Sequence, residues 1–448
     1  MADRYDLVIV GMGSGGMVAA EFASTLDVKV AIVERDRVGG DCLWTGCVPS
    51  KTLIASSKVA HRMRTAGAFG IEAVEPKVDS ARVFERIRAV QRQIAETDDN
   101  AQRYRDMGVD VLFGPARLTS PNEVAVNGSS VEGRFILLAT GSRPVVPSIE
   151  GLEQAGFLTS ETVWDLQSAP TSLTLIGGGP ISIEMAQAFN RLGVKVTVLQ
   201  KGPGILPRDE PDLVGRLQET LRAEGVDLRL GVDTERVIVQ DGMKVVHGTE
   251  AGEPRTWASE EILLGAGRRP NVEDLGLEEL GVEVGRRGVV IDERSRTTVP
   301  SVYAVRDMFF PGKGKVTDFV PWCTFTDPEL AHAGLTVAQA EERFGEDDVS
   351  VWRQELTHSD RARADGETAG AVVIVTAKGK VVGAHILAPH AGEMIHELAL
   401  AIQQGLKLSD VASLIHVYPT YSIANGQLAA EAAFEGARKY RWLVRRGR

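Results

Sequence analysis

The sequence predicts an α/β fold with two Rossmann-like dinucleotide-binding domains, followed by an α+β C-terminal domain. Two observations carry this reading. An apolar run, Tyr5–Val10, leads into "GMGSGG" and then into an Ala-rich stretch from Met17 to Leu26. The same grammar returns at "SLTLIGGGP", with a strand over Leu173–Ile176, a glycine turn, a helix over Ile181–Leu192 and a strand over Lys195–Leu199. Strand, glycine turn, helix, strand is the βαβ unit, and two such units imply two dinucleotides.

In the first unit, Tyr5–Val10 lacks alternation, as suits a parallel strand buried on both faces. Gly11, Gly13 and Gly16 form G-x-G-x-x-G. The first glycine allows the tight turn, the second lets the backbone approach a pyrophosphate, and the third lets helix and strand pack closely. The pyrophosphate then meets a helix N-terminus. A second strand, Val28–Val33, ends in Glu34, 23 residues after Gly11, where a carboxylate can accept from ribose hydroxyls.

In the second unit the turn is Gly177, Gly178, Gly179, with Ser182 at the third glycine position. The second strand ends at Gln200 and Lys201, with Arg208 nearby, so no carboxylate stands where a ribose 2′-hydroxyl would bind. A cation there points to a 2′-phosphate, hence NADP, with NAD as the alternative. The other reading of Lys201 is a solvated loop charge.

Short β-rich segments follow each unit, "VLFGPARLTSPNEVAVNG" and "VDLRLGVDTERVIVQDG". Farther on, Thr336 and Gln339 form a capping box, with Gly345 placed to end that helix. "AGAVVIVTAKGKVVGAHIL" reads as strand, turn, strand, with helices from about Glu393. The divisions are 1–149, 150–267, 268–325 and 326–448.

Composition bounds the function. The 448 residues are 43% hydrophobic and 25% charged, ordinary for a globular protein. A net charge of −11 argues against nucleic acid. No apolar stretch is long enough for a membrane span. The N-terminus enters a strand without a leader, so a cytoplasmic location is expected. Three cysteines form no disulfide framework; Cys42 and Cys47, close together, suit catalysis or metal binding. No His or further Cys nearby completes a metal set, so no metal site is expected. Cys323, in "VPWCTFT", reads as a small hydrophobe in a buried strand.

"GGDCLWTGCVPSK" (39–51), "ATGSRP" (139–144), "GGGPISIE", "GAGRRPN" (265–271) and "FTDPELAHAG" (325–334) together resemble the pyridine nucleotide–disulfide oxidoreductases. That family contains dihydrolipoamide dehydrogenase, glutathione reductase and mercuric reductase, and "CLWTGCVPSK" and "GPISIEMAQAFNRLG" resemble its mercuric-reductase-like bacterial members most. The resemblance implies an FAD-binding domain (1–149), an NAD(P)-binding domain (150–267), a remainder of the FAD and central region (268–325) and a dimerisation domain (326–448) in a homodimer. It implies that NAD(P)H reduces FAD, which reduces a Cys42–Cys47 disulfide, which reduces an acceptor. Cys47 would contact the flavin and Cys42 would attack substrate; Pro49 suits a helix starting just after Cys47, which favours a thiolate there. Lys51 and Glu184 match the family's ion pair beside the flavin. Gly40, Ala116, Thr140, Gly141, Gly179 and Gly267 complete the expected cofactor contacts.

The chain departs from the family pattern in three places. Tyr418 stands where the disulfide reductases carry a catalytic His from the partner subunit, and Ile423 where a Glu follows it. His416 survives two residues upstream, as a candidate acid–base group or a helix-edge or core histidine. A phenol is a poor proton shuttle at neutral pH. The cysteine pair that mercuric reductases carry near the C-terminus is absent, and the chain ends in a basic tail, "RKYRWLVRRGR". Only 13 residues separate Asp307 from Pro321, too few for the family's flavin-facing helix, so the ribitol role does not pass to Asp307. The expected acceptor is a thiophilic metal ion or small disulfide. Alternatives are a quinone or dye reduced directly at the flavin, or a flavin-deficient redox-sensing or binding paralogue.

Overall fold

A computed structural model describes residues 4–305 and 319–438. Asp307 and the tail from residue 439 lie outside the described residues. Along the chain come β1 (Arg4–Val10), α1 (Ser14–Ser24), β2 (Val30–Glu34), α2 (Gly40–Trp44), α3 (Cys47–Thr65), α4 (Ser80–Thr97), α5 (Ala101–Asp106) and β3 (Val109–Phe113). Then follow β4 (Ala116–Ser120), β5 (Glu123–Val126), β6 (Ser129–Leu138), β7 (Ser142–Pro144), α6 (Leu152–Ala155), β8 (Ser172–Ile176), α7 (Pro180–Arg191), β9 (Lys195–Gln200), α8 (Pro211–Ala223) and β10 (Asp227–Leu230). The middle of the chain supplies β11 (Val232–Gln240), β12 (Met243–Glu250), β13 (Glu253–Ser259), β14 (Glu261–Leu264), β15 (Arg268–Pro270), β16 (Val284–Gly285), β17 (Gly288–Val289) and β18 (Val302–Ala304). The last segment holds β19 (Trp322–Thr324), β20 (Glu329–Gly334), α9 (Val337–Phe344), β21 (Val349–Glu355), α10 (Asp360–Asp365), β22 (Ala371–Ala377), β23 (Lys380–Ala388), α11 (Ala391–Gln404), α12 (Leu408–Val411) and α13 (Ile423–Arg438).

By compactness the chain divides into two units. The first comprises residues 1–56, 79–170 and 261–316. Its sheet runs β3-β2-β1-β6-β5-β4, with β18 also on β6. The β3, β2, β1, β6 and β18 pairings are parallel, Leu7 lying between Val30 and Phe135. Val8, Ile9, Ile32 and Ile136 are fully buried, so both sheet faces are covered, as the unalternating β1 predicted. Helix α1 starts at Ser14, earlier than the sequence suggested, because the glycine turn leads straight into it. β2 extends to Glu34.

The second unit comprises residues 57–78, 171–260 and 317–448. It holds the repeated βαβ, with β10, β9 and β8 parallel, and the antiparallel meander β11-β12-β13. Its largest sheet is antiparallel, β19-β20-β23-β22-β21. The buried faces of β22, β23 and α11 form its core around Val372, Ile374, Ile386 and Leu398. Helix α9 has the predicted box: Gln339 N–H donates to Thr336 Oγ1 and Thr336 N–H donates to Gln339 Oε1, with Gly345 at the end. Cys323 sits in β19 opposite Ala331, in a strand as predicted, but half-buried against this core rather than buried in it.

Candidate active site

The Cys42–Cys47 pair is built at two helix starts in the first unit. Gly39 and Gly40 take φ of 100° and 53°. A Cβ on Gly39 would lie 2.6 Å from Leu43 Cδ2, and one on Gly40 2.7 Å from Gly13 Cα, so this bend requires glycine. It feeds α2, which carries Cys42; the chain breaks at Thr45–Gly46 and α3 begins on Cys47 itself. The two Sγ atoms are 3.4 Å apart, a hydrogen-bonded dithiol. The Cys42 pKa is lowered to about 6, chiefly by the hydrogen bond with Cys47, against burial, which raises it. The Ser14 hydroxyl lowers it further, while Asp41 and Asp99 raise it. Either sulfur can be the donor in this bond, and the contact lowers Cys42.

Residues that sequence reasoning missed hold this loop. Gln91 Nε2 donates to Leu43 O and Trp44 O (3.1 and 2.9 Å), and Trp164 Nε1 donates to Thr45 O (2.9 Å). Trp44 Nε1 donates to Val38 O at 2.7 Å. The Arg268 guanidinium binds the Asp41 carboxylate and donates to Ser142 O at 2.7 Å. The one local signal was a polar Gln91 on the apolar face of α4, where it is 5% exposed.

The first glycine turn has the predicted form. Gly11 has φ of 104°, and a Cβ there would meet Ala139 O at 2.3 Å. A Cβ on Gly16 would meet Gly11 O at 1.9 Å, the close packing expected of the third glycine. Gly13 caps α1 with no side chain on its first-turn N–H groups. Glu34 accepts from Met12 N–H and Asp36 N–H, both at 2.8 Å, leaving lone pairs on both oxygens for ribose hydroxyls. Thr140 and Gly141 are clasped by Asn271, which donates from Nδ2 to Thr140 O and from N–H to Gly141 O. Gly267 accepts from Val145 N–H, and Ala116 opens β4. This cradle fits the adenine-nucleotide half of FAD.

The second turn has Gly177 at φ of 110° and Gly179 as N-cap, with Pro180 in the first turn. Ser182 fits at the third glycine position fully buried, its hydroxyl without a hydrogen-bond partner, a cost of about 1–3 kcal/mol. Gln200 turns inward: Oε1 accepts from Gly178 N–H (2.8 Å) and Nε2 donates to Gly204 O (3.2 Å). Lys201 is exposed and paired with Asp233 at 2.9 Å. Arg208 lies over the Trp322 ring, 4.8 Å from its centroid, occupied elsewhere than the strand end.

Lys51 lies on α3 in the first unit, one turn after Cys47. Glu184 lies on α7 in the second, where its Oε1 accepts from Phe325 N–H at 2.9 Å. His416 is half-buried and bound to Glu397: its Nε2 is 2.9 Å from Glu397 Oε2 and its side chain 6% exposed. Tyr418 is exposed, and its hydroxyl donates to Asp360 Oδ2 at 3.0 Å. Ile423 begins α13. Among the described residues no cluster of three His, Cys, Asp or Glu is arranged to hold a metal ion, and no helix is long and apolar enough to cross a membrane.

Residues 5–338 match the model of the pyridine nucleotide-disulphide oxidoreductases, and residues 320–428 match that family's dimerisation domain. The chain belongs to this family. The family is FAD-dependent and uses NAD(P)H. A mercuric reductase of Bacillus cereus is 33% identical, over 96% of this chain and 72% of its own length. A glutathione reductase of Burkholderia cepacia is 34% identical, over 93% of this chain and 96% of its own. Among solved structures, the Cu(II) complex of the HOCl-induced flavoprotein disulfide reductase RclA from Escherichia coli superposes with a TM-score of 0.83. It is 26% identical and covers 96% of this chain and 99% of that one.

Proposed function

We propose that this family member passes two electrons from NAD(P)H through Cys42 and Cys47 to a thiophilic metal ion, with a small disulfide as the slower acceptor. The observation that carries the reading is the dithiol: two sulfurs 3.4 Å apart, with Cys42 lowered to about 6 and so largely thiolate at neutral pH. FAD, when bound, would supply the hydride and electron-pair chemistry that links NAD(P)H to the disulfide. The turn at Gly11, Gly13 and Gly16 and the Glu34 carboxylate would hold its nucleotide half; the turn at Gly177–Gly179 would hold NAD(P)H. Cys42 and Cys47 then bind a cation such as Hg²⁺ as thiolates, return to the disulfide and leave reduced metal, for a balance of NADPH + Hg²⁺ → NADP⁺ + Hg⁰ + H⁺. Mercuric-reductase relatives and the copper-bound RclA support a metal acceptor.

The absence of an imidazole at position 418 supports metal over disulfide. A leaving thiolate needs a proton donor, whose help supplies about 10²–10⁴-fold in rate. We assign Tyr418 to the partner subunit's acceptor site in a homodimer. The dimerisation-domain match and the exposed apolar side chains of Ile415 and Val417 beside Tyr418 support that assembly. A cytoplasmic setting suits a dithiol regenerated by NAD(P)H.

The test is turnover with Hg²⁺, Cu²⁺, glutathione disulfide and a quinone, in wild type and Cys42→Ser. Metal reduction should depend on Cys42 and quinone reduction should not. Thiol counting should show two additional thiols per chain after anaerobic NAD(P)H. Rapid glutathione disulfide turnover by the wild type, or unchanged metal turnover in Cys42→Ser, would overturn the reading.

A further inference from the structure

Two tyrosines of the segment preceding α13 hang over α10 and donate to its carboxylates. Tyr418 Oη donates to Asp360 Oδ2 at 3.0 Å, and Tyr421 Oη to Asp365 Oδ2 at 3.0 Å. The two pairs are not alike. Asp365 is also bound by Arg361 at 2.6 Å, and Tyr421 is 5% exposed, so that pair is a packed support. Among the described residues Asp360 is ion-paired with Arg363 alone, at 3.9 Å, and Tyr418 is 66% exposed. Ser359 caps α10 by accepting from Ala362 N–H, which fixes Asp360 at the first position of the helix.

A phenol has one proton and two lone pairs. When the proton is committed to a carboxylate, only lone pairs face outward. Such a group cannot protonate a leaving thiolate without first giving up a charge-assisted hydrogen bond. It can accept, and the charge of Asp360 behind it makes the position favourable for a cation. The same bond raises the ionisation of Tyr418 above that of an ordinary phenol, with Asp360 as the cause.

We infer that Asp360 is a positioning residue for Tyr418: it commits the phenol proton inward and makes Tyr418 a lone-pair donor, so that the acceptor site selects a metal cation over an acceptor protonated on leaving. This rests on the proposed place of Tyr418 at the acceptor site and explains why a Tyr can stand there without an imidazole's acid–base chemistry.

The test uses the FAD-loaded dimer and three variants, Asp360→Asn, Tyr418→Phe and the double variant, with flavin absorption reporting that each is folded. Ultraviolet titration of tyrosine should show one phenol ionising at lower pH in Asp360→Asn, and that component should vanish when Tyr418→Phe is added. With Hg²⁺ as probe, Asp360→Asn should lower kcat/KM about 5- to 20-fold, mainly through KM. Turnover of glutathione disulfide should be unchanged or faster, and Asp360→Asn should have no further effect on Hg²⁺ turnover in the Tyr418→Phe background. No shift in any tyrosine ionisation overturns the inference. So does a shift with unchanged Hg²⁺ kinetics while Cys42→Ser still abolishes metal turnover, which would leave the proposed function standing. Metal turnover that survives Cys42→Ser overturns both.

Discussion

At the scale of single residues, the nicotinamide preference turns on Lys201. Lys201 was read as the cation for a 2′-phosphate, but in the folded chain Asp233 holds it in an exposed pair. Gln200 is spent on the glycine turn and Arg208 on Trp322, so Lys201 is the cation nearest the strand end that a phosphate could recruit. Exposed ion pairs are worth about 0–1 kcal/mol, so a dianionic phosphate can displace Asp233 at small cost. Two outcomes follow. Lys201→Glu should lower kcat/KM for NADPH more than for NADH, by roughly 5- to 150-fold. Asp233→Asn should move the ratio the other way, raising NADPH use by about 2- to 5-fold, because it releases the lysine. Equal loss with both coenzymes in Lys201→Glu would show that this lysine never meets the 2′-phosphate.

At the scale of elements, the Cys42–Cys47 loop is held by a contact between residues 227 positions apart. Arg268 neutralises Asp41, which raises the Cys42 pKa. Arg268→Ala should therefore push Cys42 up from about 6, shifting the midpoint of its alkylation rate to higher pH while the count of NAD(P)H-generated thiols stays at two. An unchanged midpoint would mean that solvent already screens Asp41. The sequence could not show this clamp, because nothing local links "GAGRRPN" to Asp41. Nor could it show α2, a five-residue helix opened by two glycines, which propensity argues against. What could be read were features with local causes. The glycine turns, the Thr336–Gln339 box and the helix start at Cys47 each follow from residues within one turn of one another. His416 shows the limit from the other side: its partner Glu397 comes from α11, and its ring packs so closely on Gly426 that a Cβ there would lie 2.5 Å from Nδ1.

At the scale of the whole molecule, one contribution to the pH dependence of stability comes in the second unit from an aromatic ladder. Trp322, His332 and His385 are opposite one another on β19, β20 and β23. The Trp322 and His332 rings stack at 3.7 Å, and His332 and His385 lie 4.7 Å apart. Each histidine is almost wholly buried, has a backbone carbonyl at Nε2 (Gly334 O, Leu335 O), and leaves Nδ1 without a partner. Both are therefore neutral Nε2–H tautomers, and burial lowers their pKa to about 3 and about 4. Unfolded, each would titrate near 6.5. Their contribution is complete above pH 6.5 and is lost as pH falls through the range between 6.5 and the folded values. Trp322 also donates to Asp209, whose carboxyl is raised by burial to about 6, so its contribution has the opposite sign and is lost as pH rises from about 4 to 6. Between pH 4 and 6 two histidines oppose one aspartate, and these three groups together bind about one more proton in the unfolded chain than in the folded one. Their joint contribution to stability should then rise with pH by roughly 1 kcal/mol per unit across that window. His332→Phe keeps a ring against Trp322 but cannot titrate. It should be less stable at pH 7, for the lost bond to Gly334, yet lose less stability between pH 6.5 and pH 4.5 than the wild type does. Thermal midpoints at those two pH values measure the difference, and an equal loss in both proteins would remove His332 from the account.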